Sequence, residues 1–163
     1  MMARVSLLLL IVWVLGATAH ARDSLGVFES WGAFRDAAEP RCYAIAEPAR
    51  TSTGGAQWRS FASVGSWPKT AVRGQVHIRL SRERAPGSTV YLSIGERRFA
   101  LVTGGADAWA QDHRMDAAIV AAMRSSATMS VEGKARNGRF FSDLYVLRGA
   151  ATAMDAAALA CAR

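Results

Sequence analysis

The chain is 163 residues long, 51% hydrophobic and 20% charged, with a formal net charge of +7. It has no internal repeat, low-complexity tract or long linker, so that length holds one domain with one core and excludes a repeat array or a multidomain protein. The positive excess is carried almost wholly by arginine, Lys69 and Lys134 being the only lysines; its plain reading is solubility and a coding bias towards arginine, with an anionic surface such as lipid headgroups or acidic glycans as the alternative.

The first residues have the outline of a secretory leader. Met1-Met2-Ala3-Arg4 is a short positive start, residues 7–15 are an uninterrupted apolar run, and Ala17-Thr18-Ala19 supplies the small residues a signal peptidase accepts. A spanning helix needs ~20 apolar residues, more than this run offers. Cleavage is expected after Ala19 (1–19), with Ala21 (1–21) as the alternative, leaving a single β-rich domain over 20–163 and no transmembrane segment. Only Arg4 is lost from the charge count, which falls to +6. No cysteine follows closely enough to take a lipid, so the expected product is a soluble exported domain.

After the leader, strands are predicted at 27–31, 42–46 and 58–64, with an exposed loop over 50–56 and a turn at Gly65-Ser66-Trp67-Pro68. Val76, Ile78 and Leu80 alternate with Gln75, His77 and Arg79 in the pattern of a half-buried strand. Val90, Leu92 and Ile94 repeat it, Ala85-Pro86-Gly87-Ser88 is the turn between the two, and Gly95-Glu96 returns the chain into 98–102. Asp112 is placed to cap a helix with Met115, Ile119, Ala122 and Met123 on one face. Met129 and Val131 lead through Asn137-Gly138, a hairpin signal when both residues take positive φ, into 140–147. Residues 150–160 are helix formers with Met154, Ala157, Ala158 and Cys161 on one stripe. Seven or eight short strands with one or two short helices predict a mainly β fold, an antiparallel sandwich or partly open barrel with a C-terminal helix.

Cys42 and Cys161 are the only two cysteines. In an oxidising compartment an even number predicts a disulfide, and no C-x-x-C or neighbouring histidine supports a reactive thiol. His77 falls on the polar face of its strand, where a solvated side chain is expected. Asp112, His113 and Asp116 lack the second histidine or cysteine pair of a metal site, so neither a metal nor a cofactor is expected. A Ser-His-Asp arrangement has no G-x-S-x-G elbow behind it, and Val102-Thr103-Gly104-Gly105 lacks the spacing of a phosphate loop. Arg79, Arg82, Arg84, Arg97 and Arg98 are the candidate anion-binding residues if their strands are neighbours, although ion pairs to Glu83 and Glu96 in the same region are the simpler explanation. Phe28, Trp31, Phe34, Trp58 and Phe61 are read as core, and Trp67 as an exposed contact residue.

Together these residues resemble the invasion-associated locus B family of exported bacterial proteins. The resemblance rests on the aromatic opening (Phe28, Trp31, Phe34), Arg41-Cys42-Tyr43-Ala44-Ile45-Ala46, the β-rich middle, the strand Ser142-Asp143-Leu144-Tyr145-Val146-Leu147 and the Arg148-Gly149-Ala150-Ala151-Thr152-Ala153-Met154 that follows. It implies a Gram-negative periplasmic or envelope location, a β-sandwich-like domain and a role in host-cell invasion, without a catalytic centre. The reading is a binding protein whose partner is an envelope or host protein, not nucleic acid. The alternatives are a binder of anionic lipid or glycan through the arginines, and a hydrolase with an unrecognised site.

Overall fold

Alternation of inward apolar and outward polar residues drives about half of the described residues into antiparallel strands. The computed structural model describes residues 22–52 and 56–162; the predicted leader and Thr53-Gly54-Gly55 of the predicted loop lie outside the described residues. These contain strands β1 (Asp23–Phe28), β2 (Trp31–Asp36), β3 (Arg41–Ala46), β4 (Arg50–Thr51), β5 (Phe61–Trp67), β6 (Val72–Arg79), β7 (Val90–Ile94), β8 (Arg97–Gly104), β9 (Asp107–Trp109), β10 (Thr128–Lys134) and β11 (Phe140–Val146). The helices are α1 (His113–Ser125) and α2 (Ala150–Cys161), and Pro68–Thr70 is a single 3-10 turn. None of the helices described is long and apolar enough to cross a membrane.

The strands form one antiparallel sheet in the order β1-β2-β3-β5-β6-β9-β8-β7-β10-β11-β4, and it does not close on itself. It curls instead, bringing β11 back towards the opposite half. Trp31 Nε1 on β2 donates to the Val146 carbonyl at 2.9 Å, and Ser81 N, just beyond β6, donates to Asp143 Oδ2 on β11 at 3.2 Å. The inner face carries one core, including Trp31, Ala44, Val64, Ile78, Leu92, Val131 and Tyr145. α2 lies against β1, β2, β3 and β5, and α1 against β6, β7 and β8.

Several local expectations need correction. Residues 27–31 are not one strand: Glu29 takes a left-handed φ of 55° and Ser30 completes a turn, so Val27 and Trp31 belong to different strands. Gly65-Ser66-Trp67 continues β5, and the chain turns only at Pro68. Residues 58–60 precede β5, and Arg50–Thr51 pairs with β11 as β4. At Asn137-Gly138 only Gly138 has positive φ (83°), and Asn137 Oδ1 accepts from Arg139 N at 3.1 Å.

Both helices stand where the apolar stripes put them. Asp112 Oδ1 accepts from Met115 N at 2.8 Å, and Ile119, Ala122 and Met123 are buried. On α2 the buried stripe is Ala150, Ala153, Met154 and Ala157, while Ala158, predicted to join it, is exposed. The helix ends at Cys161, bonded to the buried Cys42 of β3 with Cα atoms 5.8 Å apart. The predicted disulfide is present.

Candidate functional site

The outer face of the sheet, turned away from both helices, gathers the side chains with most chemistry. On β5 and β6 the inward residues are Ala62, Val64, Val76 and Ile78, so Phe61, Ser63, His77 and Arg79 point outward. Register aligns Phe61 with Arg79 and Asp107, and Ser63 with His77 and Trp109. Three neighbouring strands thus assemble a patch whose members are up to 48 residues apart in sequence.

Asp107 is its centre. Its Oδ2 accepts from Arg79 at 2.5 Å and its Oδ1 lies 2.9 Å from His77 Nε2. A carboxylate only accepts, so Nε2 carries the hydrogen in this bond. The His77 ring lies parallel to Trp109 (interplanar angle 13°, centroids 5.3 Å) and meets Phe61 edge-on at 5.3 Å. The Arg79 guanidinium sits over Trp58, whose Nε1 donates to the Leu80 carbonyl at 2.6 Å. His77, Arg79 and Asp107 keep 27%, 38% and 22% of their side-chain surface exposed, enough for a ligand to reach them. Ser63 spends its hydroxyl on the main-chain carbonyl of His77 at 3.3 Å, not on the ring.

Glycines make room for two of the rings on this face. A Cβ at Gly104 would stand 3.5 Å from Trp109, one at Gly65 would stand 3.0 Å from Trp67, and one at Gly32 would stand 2.7 Å from Phe34. At Gly32 and Gly65 the missing Cβ lets Phe34 and Trp67 lie against bare backbone, whereas the distance at Gly104 is an ordinary contact. Phe34 stacks on Tyr43 (5.7 Å), extending the aromatic surface across β2 and β3. The core reading therefore holds for Trp31, which is fully buried, and Phe28 packs partly against the core. It fails for Phe34, Trp58 and Phe61, which are half-buried on or beside the outer face. Trp67 is half-buried over Gly65, and His77 is an integrated member of a cluster where a solvated side chain was expected.

The five candidate arginines are not brought together. Arg79 pairs with Asp107. Arg82 is buried inside the curl, where its charge acts on Asp143. Arg84 donates to the Ala85 and Ser88 carbonyls at 2.9 and 3.3 Å. Arg97 donates to the Ala118 carbonyl of α1 at 3.3 Å, and Arg98 lies 3.8 Å over the Tyr91 ring. Arg79 aligns, through Asp107, with Gly104 at the far end of β8 from Arg97, about 20 Å away along an extended strand. Of the predicted acidic partners, Glu83 pairs with Arg136 at 2.7 Å.

Two features escaped the sequence reading. Asp143 is fully buried on β11 beside Ser81, Arg82 and Tyr145, and burial raises its pKa above the usual carboxylate value. The visible signal was its phase, since Phe141, Asp143, Tyr145 and Leu147 alternate inward, which puts a carboxylate in an apolar series. The second is an apolar cleft of about 510 Å³ lined by Val64, Val72, Val120, Met154 and the disulfide, with Arg73 and Arg124 also on its wall. Arg124 is held there by Asp155 at 2.6 Å. Asp112 and Asp116, weighed as ligands with His113, are engaged: Asp112 caps α1 and Asp116 accepts from Val76 N at 2.8 Å.

No protein-family profile, curated protein or solved structure matches the chain.

Proposed function

We propose that the chain is an exported cell-envelope protein of the invasion-associated locus B type, that it works by binding and not by catalysis, and that the outer face around Asp107 is its binding surface. One observation carries the reading: Trp109, His77 and Phe61 stand half-exposed around a carboxylate held at both oxygens, on the face neither helix covers. The leader-like residues 1–19 and the Cys42–Cys161 bridge support export to an oxidising compartment. Catalysis draws less support, because the Ser63 hydroxyl is turned from the imidazole it would need as a base. Binding of anionic lipid or glycan through the arginines also draws less, since Asp107 neutralises Arg79 and the others are dispersed.

Expression of the full chain in a Gram-negative host, with fractionation and N-terminal sequencing, tests export; the expected mature product begins at His20 or Arg22 and contains no free thiol. Capture from envelope extract tests binding, and the Phe61→Ala/Trp109→Ala double variant is expected to lose the captured component. A cytoplasmic chain with its leader intact, or a double variant that captures as well as wild type, overturns the reading.

A further inference from the structure

Resting on the outer face as the binding surface, we propose that its ligand is a neutral saccharide chain, with a pyranose ring stacked on Trp109 and walled by the steeply inclined Phe61, while its hydroxyls hydrogen-bond the Arg79–Asp107–His77 array.

The rings supply the first half of this chemistry. Aromatic faces are electron-rich, and the axial C–H groups of a pyranose are weakly positive, so the two surfaces attract when laid flat on each other. Trp109 lies parallel to the His77 ring and packs beside Gly104 at ordinary contact distance, and at Gly65 the missing Cβ lets Trp67 lie against the strand. Phe61 and Trp109 lie on strands separated by β6, about 10 Å apart at the usual strand spacing. That span is longer than a single sugar ring, which suits a chain better than one small molecule.

The polar array supplies the second half. A sugar hydroxyl both donates and accepts, and it is best met by a fixed acceptor flanked by fixed donors. Asp107 has lone pairs left after its bonds to Arg79 and His77, and the Arg79 guanidinium has N–H groups left to give. Charge selects among saccharides. Arg79 is neutralised by Asp107 on this face and Arg59 by Glu47 beside it, so a polyanionic glycan finds no excess of positive charge.

The test uses the exported, oxidised protein on three insoluble or immobilised probes: a β-linked N-acetylglucosamine polymer, cellulose and heparin. Retention on one or both neutral polymers, little changed between low and high salt, is expected, the two arms telling an amino-sugar chain from a plain glucan. Soluble oligomers of the retained polymer should shift tryptophan emission. Trp109→Ala and Asp107→Asn should each weaken binding at least tenfold with the thermal midpoint nearly unchanged. Phe140→Ser, four strands away on β11, should bind as wild type; a loss there equal to that of Trp109→Ala overturns the assignment. Retention on heparin alone, or on no polysaccharide with silent fluorescence, also overturns it. If envelope capture is still lost in the Phe61→Ala/Trp109→Ala variant in that case, the binding face stands and only the ligand class falls.

Discussion

Breaking the Cys42–Cys161 bridge is the most informative single perturbation of the fold. The bond joins residues 119 apart in sequence, on β3 and at the end of α2. In the chain-entropy treatment a closed loop of that length removes roughly 16 cal/mol/K from the unfolded ensemble, or about 4.9 kcal/mol at 25 °C. Residual compactness of the unfolded chain lowers the figure. For a domain of this size each kcal/mol moves the melting midpoint by about 2–4 °C, so the Cys42→Ala/Cys161→Ala variant should melt roughly 10–20 °C below the oxidised wild type. Reduced and alkylated wild type should fall with it. The competing account makes the bond a local clamp: α2 is already docked through Ala150, Ala153, Met154 and Ala157, and losing the clamp would only fray its last turn. That account predicts a loss near ~1 kcal/mol, confined to faster amide exchange around Cys161. Urea unfolding followed by far-ultraviolet circular dichroism separates the two, and a loss below about 1 kcal/mol refutes the loop-closure reasoning.

Three further outcomes follow from named contacts. Met154→Asp places a charge between α2 and the sheet, where Met154 is buried, and should cost ~3 kcal/mol or more in thermal unfolding; an unchanged midpoint would mean that α2 is not docked. Gly149 and Gly138 have similar φ values of 88° and 83°, but a Cβ at Gly149 overlaps the Phe28 carbonyl whereas one at Gly138 meets open space. Gly138→Ala should therefore cost about 1 kcal/mol of strain and Gly149→Ala at least twice that, and equal denaturant midpoints would contradict the clash. Asp143 has a folded pKa raised by burial above 3.8, so the folded state holds the proton more tightly than the unfolded one. Its contribution is most favourable below the unfolded value and is lost as pH rises through the folded value. Asp143→Asn should remove that loss and flatten the stability curve above pH 3.8; parallel curves for variant and wild type between pH 4 and 7 would dispose of the argument.

The strands that could be read in advance were those whose period of two is unbroken. Val76-x-Ile78-x-Leu80 and Val90-x-Leu92-x-Ile94 face one core, and alternation alone reports that. The β1–β2 hairpin was misread because its turn carries no glycine or proline: Glu29 takes the left-handed conformation itself, so the usual punctuation is missing. At Gly65 the error ran the other way. The glycine marks the place where Trp67 folds over the strand, not a turn. The candidate site was hidden for a different reason. Phe61, His77 and Trp109 become neighbours only through the β5-β6-β9 order, and β9 is a three-residue strand that returns to β6 after β7 and β8 have been laid down. No spacing rule reaches across that crossover. Aromatic content is also blind to face, and the same residue types fill the core and the outer surface. The arginines looked clustered because they are close in sequence, while one extended strand is long enough to part Arg79 from Arg97 and Arg98.

An open sheet has two rims, each a row of main-chain groups able to recruit a strand from another molecule. Here the β11 rim is occupied by the protein's own segment between β3 and β5. Ala49 N and Ser52 N donate to the Leu144 and Ser142 carbonyls at 2.8 and 2.9 Å, and Ser52 Oγ accepts from Ser142 N. Separately, Gln57 N donates to the Ser81 carbonyl at 2.8 Å. A stretch with only two residues in strand conformation thus works as a stopper: it uses up the hydrogen bonds that would otherwise let one copy add to the next. At the opposite rim β1 is made a poor template by the irregularity between Ser24 and Gly26. The chain keeps its long sheet finite by capping one rim with itself and distorting the other.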